Sequence, residues 1–136
     1  MITSKFVWES FEKYKDEIFY TNENINISYK QFYQKIKQAA CQNELLYTKN
    51  EKTVFLIDSS LESLITFFAI IYNSAVPVLF SKQTPKEKVE KLFNSIQDNE
   101  FLTSEDATII FTSGSSSIPK AVLHTYGNHY YSALGS

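Results

Sequence analysis

Apolar residues recur along this chain with two periods, and the two periods alternate from one segment to the next. Apolar positions three and four residues apart predict an amphipathic opening helix over about residues 5 to 17. Phe19 to Thr21 and Ile25 to Ser28 are short β-rich runs on either side of a polar Asn-Glu-Asn turn. This arrangement predicts a small hairpin after the opening helix.

A second helix is expected directly after the hairpin. Ser28 and Gln31 have the spacing of a capping box, in which each side chain bonds the backbone of the other residue. We therefore expect the helix to begin there and to end near residue 46. Its predicted buried stripe consists of Tyr29, Phe32, Tyr33, Ile36 and Ala40.

The middle of the chain is its most apolar part. Thr53 to Ile57 shows no alternation, which predicts a strand covered on both faces. Ser59 and Glu62 predict the cap of the next helix. That helix, Leu61 to Tyr72, is apolar nearly all round and is expected deep in the fold. It should run into a buried strand with an early proline, Val76 to Phe80. The most apolar window, Leu64 to Phe80, is too short and too interrupted by polar residues and proline to span a membrane.

The remaining elements continue the alternation. Thr84-Pro85 opens a helix whose charged lysines and glutamates predict a solvated face. Ala107 to Phe111 then has the length of a buried strand. Strands that alternate with helices predict an α/β fold with a mostly parallel sheet flanked by helices, formed by residues 1–136 as a single domain. The apolar stripe of the helix after Pro85 is Val89, Leu92, Phe93 and Ile96.

Composition narrows the function classes. The chain has 13 lysines, no arginine and 15 acidic residues, so it has no basic field for nucleic acid. Its single cysteine excludes an internal disulfide and is typical of a reducing compartment. No basic, apolar and small-residue series marks a signal peptide at the N-terminus. We therefore expect a cytoplasmic protein.

One polar segment stands out as candidate chemistry. After the strand at Ala107 to Phe111, hydroxyl residues and a single glycine fill the chain before Lys120, and a helix is predicted from about His124. Hydroxyl and amide donors with a lysine are suited to holding an anion, especially where a following helix points free N–H groups at it. The candidate phosphate-binding residues are Thr112, Ser113, Gly114, Ser115, Ser116, Ser117 and Lys120.

Three familiar loop motifs and a metal site fit this part of the chain poorly. A Walker loop needs glycine before its lysine, where this chain has Pro119. A nucleophile elbow needs glycines around its serine, and a dinucleotide fingerprint needs more than one glycine. His124 and His129 are five residues apart, so they would not share a helix face as a metal pair does. No metal site is predicted.

The segment resembles the signature loop of the adenylate-forming enzymes, the superfamily of acyl-CoA synthetases, peptide-synthetase adenylation domains and luciferases. That loop runs Thr/Ser-Ser-Gly-Thr/Ser-Thr/Ser-Gly-x-Pro-Lys-Gly, and this chain carries the motif in register from Thr112 to Lys120. Ile27 to Phe32 and Ser59 to Pro77 also resemble upstream parts of the family. Leu123 to Ser136 is most similar to the o-succinylbenzoate–CoA ligases of menaquinone synthesis.

The resemblance implies a function. The parent enzyme would activate a carboxylic acid with ATP to an acyl-adenylate and then transfer the acyl group to coenzyme A. The loop hydroxyls and Lys120 would hold the ATP phosphates, Mg²⁺ would arrive with ATP, and no catalytic residue is assigned within this chain. His124 and His129 are interpreted as structural, the favoured interpretation, or as lining the acyl pocket.

The resemblance also implies a fragment. Family members are several times longer, so we expect this chain to be the N-terminal part of a larger domain, inactive alone and self-associating through exposed apolar surface. Ser117 and Ala121 replace family glycines, which predicts weaker phosphate binding. The alternative from another class is a non-catalytic α/β module that binds an anion or docks a partner.

Overall fold

The computed structural model describes residues 1–97, 102–112 and 118–135. Helices and strands alternate through most of them, as the sequence predicts. The elements are α1 (Lys5–Lys13), β1 (Ile18–Thr21), β2 (Asn26–Ser28), α2 (Tyr29–Gln42), β3 (Lys52–Ile57), α3 (Leu61–Tyr72), β4 (Val76–Ser81), α4 (Lys86–Asn94), β5 (Asp106–Thr112), β6 (Lys120–Thr125) and α5 (Tyr126–Leu134).

The strands form two sheets. β1 and β2 make the predicted antiparallel hairpin. The larger sheet has the order β3-β4-β5-β6, in which β3, β4 and β5 run parallel and β6 runs antiparallel to β5. The predicted α/β fold with a mostly parallel sheet and flanking helices is confirmed.

A cluster of rings joins α1, the hairpin, α2 and α3. Phe11, Phe32 and Ile36 are buried at its centre, and we call the group the N-terminal aromatic cluster. Its position depends on the start of α2, where the predicted capping box forms. The Gln31 amide donates to Ser28 Oγ at 3.1 Å, and the Ser28 amide donates to Gln31 Oε1 at 2.9 Å.

Two further layers sandwich the larger sheet. On one face, Val78 of β4 packs with Val89 of α4 and with Ile96 just after that helix. On the other face, Phe55 packs with Ile70 of α3. The predicted passage from an apolar helix to a buried strand is therefore confirmed, with the burial of α3 concentrated near its end at Ala69, Ile70 and Ile71. No helix in the described parts of the chain is long and apolar enough to cross a membrane.

Two helix ends and one cap differ from the prediction. α1 ends at Lys13 and α2 at Gln42, each about four residues early. At the end of α2, the side-chain amide of Asn43 donates to the Ala39 carbonyl and closes the helix. The cap of α3 is Ser60 and not Ser59, because Asp58 accepts the Ser60 amide and sets the turn one residue later.

The prediction that β3 is covered on both faces was wrong. Phe55 is buried, but Val54 and Leu56 on the opposite face are 36% and 44% exposed. β3 is the outer strand of the sheet among the described residues, and the cluster built around α4 contains side chains of β4 and β5 but none of β3. The apolar run of β3 therefore does not indicate burial on both faces, because the face that carries Val54 and Leu56 is partly exposed to solvent.

Candidate functional site

The β5–β6 hairpin carries the two ends of the hydroxyl-rich segment. Thr112 is the last residue of β5 and lies opposite Lys120, the first residue of β6. The Thr112 hydroxyl donates to the Lys120 carbonyl at 3.5 Å, and both residues are exposed. Ser113, Gly114, Ser115, Ser116 and Ser117 lie outside the described residues. The structure therefore fixes where the segment leaves and re-enters the sheet.

The predicted order of strand, loop and helix was wrong. Lys120 to Thr125 form a strand, and α5 begins only at Tyr126, at the far end of that strand. Thr125 and Asn128 already cap its first turn, with hydrogen bonds of 2.9 and 3.0 Å. The first turn of α5 thus lies at the opposite end of β6 from Lys120. The short apolar run from Ala121 to Leu123 was the available signal for this strand.

Other polar groups gather at this carboxyl edge of the sheet. Asp58 follows β3 and Lys82 follows β4, and their side chains form an ion pair at 3.0 Å. Hydrogen bonds from the Ser60 hydroxyl and amide, together with Lys82, lower the pKa of the Asp58 carboxyl to about 2. Because Lys82 is engaged by Asp58, it is less available than Lys120 to a ligand.

A small cavity of about 240 Å³ lies beside the exit of the segment. The phenyl rings of Phe80 and Phe111 stack at 5.5 Å at its floor. Sequence reasoning missed this hollow, because its polar residues come from separate elements; Thr84 and Lys88, four residues apart beside a proline, were the local signal. Its lining is Leu79, Phe80, Ser81, Thr84, Lys88, Leu92, Phe111 and Pro119.

The two histidines do not share a helix face, as their spacing predicts, but they are neighbours in space. The ring centroids of His124 on β6 and His129 on α5 are 5.4 Å apart. Thr108 Oγ1 lies 2.9 Å from His129 Nε2. Burial, together with the charge of His124, lowers the pKa of His129. Within the described residues, no group of three potential metal-binding side chains forms.

The histidines lie away from Thr112 and Lys120, the two described ends of the hydroxyl-rich segment. His124 lies opposite Thr108 in the hairpin, whereas Lys120 lies opposite Thr112. Four residues of extended strand separate His124 from Lys120, which is about 13 Å. A role of the histidines in lining an acyl pocket stays a prediction.

Comparisons with known proteins bear on this arrangement. The chain matches no family model. A 2-succinylbenzoate–CoA ligase from Bacillus pumilus is 34% identical over 94 residues, which cover 65% of this chain and 18% of the relative. The MenE structure from E. coli with bound OSB-AMS has a TM-score of 0.77 at 16% identity and covers 99% of this chain and 37% of that one.

A second solved structure agrees. The o-succinylbenzoate coenzyme A synthetase (MenE) of Bacillus subtilis, in complex with AMP, has a TM-score of 0.67 at 17% identity and covers 93% of this chain and 43% of that chain. The resemblance to the N-terminal part of adenylate-forming enzymes is confirmed. The match spans less than a fifth of the Bacillus pumilus ligase. The structural likenesses to MenE show the shared fold.

Proposed function

We propose that this chain is the part of an acid–CoA ligase that holds the phosphates of ATP, and that the acid is o-succinylbenzoate. One observation carries the proposal. Thr112 and Lys120, the first residue and the lysine of the signature motif, face each other across neighbouring strands at the carboxyl edge of the sheet. Ligands of α/β sheets bind at this edge.

The charges at this edge support an anionic ligand. Among the described residues, the ion pairs are Lys5–Glu9 and Lys82–Asp58, so Lys120 has no carboxylate partner there. Lys88, which likewise forms no ion pair with a described residue, adds a second ammonium group beside Pro119. When the acid attacks the α-phosphorus, negative charge builds on the departing pyrophosphate. Cations and hydroxyl donors placed around it would stabilise that charge.

One departure from the family motif has a structural explanation. Ala121, where the family has glycine, lies in β6 opposite Phe111 and is exposed. An extended strand accepts a side chain without strain. We therefore infer that Ala121 does not weaken phosphate binding, whereas the effect of Ser117 stays a prediction.

The choice of acid and the other substrates rests on the relatives. The Bacillus pumilus relative is named for 2-succinylbenzoate and CoA, and the Bacillus subtilis MenE structure contains AMP. By this resemblance, coenzyme A would be the acyl acceptor, Mg²⁺ would arrive with ATP, and the pathway would be menaquinone synthesis in the cytoplasm. The matched lengths support the expectation that this chain alone does not complete the reaction.

Calorimetry with ATP and pyrophosphate tests the phosphate site. The 136-residue chain is expected to bind both, and Lys120→Ala should weaken binding about tenfold or more, as the loss of a hydrogen bond to a charged group does. Lys30→Ala, which removes an exposed lysine on α2, is the matched control and should change nothing. Equal affinities for the wild type and Lys120→Ala, or no binding by the wild type, would refute the site.

Self-association is proposed as well, through the exposed face of β3. Val54 and Leu56 expose apolar side chains there, and a second copy would cover them. Light scattering after size exclusion should show a species larger than a monomer at high concentration. A monomer at every concentration would contradict this.

A further inference from the structure

A larger cavity lies at the opposite, amino edge of the sheet. Its volume is about 610 Å³, within the range of small-molecule sites. β5 runs from Asp106 at this edge to Thr112 at the other, which is about 20 Å of extended strand. The cavity is therefore separate from the proposed phosphate site. Its lining is Thr3, Ser4, Lys5, Trp8, Tyr33, Lys49, Tyr72, Ser74, Thr103, Ser104, Asp106 and Tyr126.

One side of this amino-edge cavity is aromatic. Trp8 stacks on Tyr33 with 5.5 Å between the ring centroids and 5° between the planes. Tyr72 meets the Trp8 ring edge-on at 5.3 Å. Tyr126 is buried beside them and its hydroxyl is hydrogen-bonded to Ser4; burial raises the pKa of this phenol, so it stays neutral. The rings provide a wall against which a planar apolar group can pack.

The charges of the lining favour an anion with a single charge. Lys5 and Lys49 contribute two positive charges, and Asp106 contributes one negative charge. The Asp106 carboxylate already accepts the Thr103 amide at 2.7 Å and the Thr103 hydroxyl at 3.3 Å. Lys5 reaches Glu9 only at 3.9 Å, with both side chains largely exposed. The ammonium group of Lys49, which forms no ion pair with a described residue, therefore remains available to a ligand.

Two charges just outside the lining, on Lys37 and Glu12, offset each other. The Lys37 ammonium lies 4.3 Å from the centroid of the Tyr33 ring. Burial, Tyr72 and the negative charge of Glu12 all raise the pKa of the Tyr33 phenol. The positive charge of Lys37 and the negative charge of Glu12 thus both act on the Tyr33 ring from outside the cavity, and they leave the charge of the lining unchanged.

The backbone at the rim is strained. Asn50 and Ser74 both have φ near +60°, in the left-handed region, which asparagine tolerates and serine disfavours. The Asn50 amide donates to the Ser74 carbonyl at 2.8 Å and holds the two segments together. The side-chain oxygen of Asn50 is buried without a hydrogen-bond partner among the described residues. Strain and an unsatisfied polar atom of this kind are concentrated at binding sites.

We propose that the amino-edge cavity binds a small aromatic monocarboxylate. Its ring packs against Trp8 and Tyr72, and its carboxylate lies between the ammonium groups of Lys5 and Lys49. The proposal rests on this cavity alone and is independent of the phosphate site.

Benzoate is the probe, and Trp8 is the reporter because it is the only tryptophan of the chain. Titration of the 136-residue chain with benzoate should change Trp8 fluorescence in a saturable way. Lys49→Gln should weaken binding about two- to fivefold, the effect of an exposed charge pair. Tyr72→Leu should weaken it about two- to tenfold by removing a ring from the wall. Lys91→Gln on α4 is the control and should bind benzoate as the wild type does.

Two analogues test the chemistry. Benzamide has the same shape without the charge, and cyclohexanecarboxylate has the charge without the aromatic ring. Both should bind more weakly than benzoate. Equal binding of either analogue, or no saturable change with benzoate in fluorescence and in NMR spectra of the chain, would overturn the proposal.

The same variants separate this proposal from the proposed function. Lys120→Ala should leave benzoate binding unchanged while it weakens pyrophosphate binding. Lys49→Gln should weaken benzoate binding and leave pyrophosphate binding unchanged. A loss of both activities in either variant, with the circular dichroism spectrum unchanged, would show that the two sites are not separate and would overturn the inference.

Discussion

The N-terminal aromatic cluster and the β5–β6 hairpin differ in how their residues are held. In the cluster, Phe32 and Ile36 are completely buried, and four elements contribute rings around them. In the hairpin, Ala121 is exposed and Leu123 is 45% exposed, and β6 has a described strand neighbour on one side only. Buried apolar contacts that stabilise the fold are concentrated in the N-terminal aromatic cluster, whereas the candidate anion-binding residues lie in the β5–β6 hairpin. Mutations should therefore separate stability from anion binding.

The largest effect is expected from Phe32→Ala. Phe32 contacts the rings of Phe19, Phe68 and Phe11 at 4.2, 5.8 and 5.9 Å and has no exposed surface. Removing its ring should lower the free energy of unfolding by about 3–5 kcal/mol. Urea unfolding measures the loss, with Phe32→Leu as the smaller change.

Anion binding by the folded fraction of Phe32→Ala should be unchanged. Pyrophosphate calorimetry under conditions that keep the variant folded checks this half of the comparison. A variant that lost less than about 1 kcal/mol, the typical effect of a point mutation, would show that the cluster is not where stability is concentrated.

A smaller effect is expected from the two helix caps. Ser28 caps α2 in the packed region, and Thr125 caps α5 after the hairpin, each through a reciprocal pair of hydrogen bonds. Ser28→Ala should cost about 1 kcal/mol of global stability. Thr125→Ala should instead speed hydrogen exchange in α5 with little change in the urea midpoint, because α5 exposes most of its residues. Equal global losses in both variants would show that α5 unfolds together with the rest of the chain.

The smallest effect is expected from Asp58 at the carboxyl edge. Its folded-state pKa of about 2 is below the usual 3.8, mainly through the Ser60 hydrogen bonds and then through Lys82. A lowered carboxyl pKa adds stability above the unfolded value, and this contribution is lost as pH falls from about 4 towards 2. NMR titration of the Asp58 carboxyl should show the low pKa directly.

Asp58→Asn is the matching variant. It should make stability less dependent on pH between about 4 and 2. An Asp58 carboxyl that titrates near 3.8 would contradict the observed hydrogen bonds.

Local signals predicted most of the fold. Ser28 and Gln31 cap α2 because a capping box is complete within four residues. The bounds of α3 also follow from its own apolar run. Errors arose where a distant contact decides the outcome. β6 is a strand because β5 lies beside it, and β3 exposes Val54 because α4 packs over other strands.

The candidate site was predictable only in part. The motif identified Thr112 and Lys120, and the hairpin explains how two residues eight positions apart come to face each other. Thr84 and Lys88 reach the same edge through the packing of α4, which the motif does not contain. The contact between His124 and His129 likewise requires the turn from β6 into α5, which their spacing along the chain does not reveal.

The composition of the N-terminal aromatic cluster has a consequence for biosynthesis. Its rings come from the first half of the chain, with Phe68 the last phenylalanine in the group. A ribosome needs on the order of seconds to add the second half, whereas helices and hairpins form in microseconds. The cluster can therefore assemble on the nascent chain before β5 and β6 are made, and the hairpin is added to a framework that already exists.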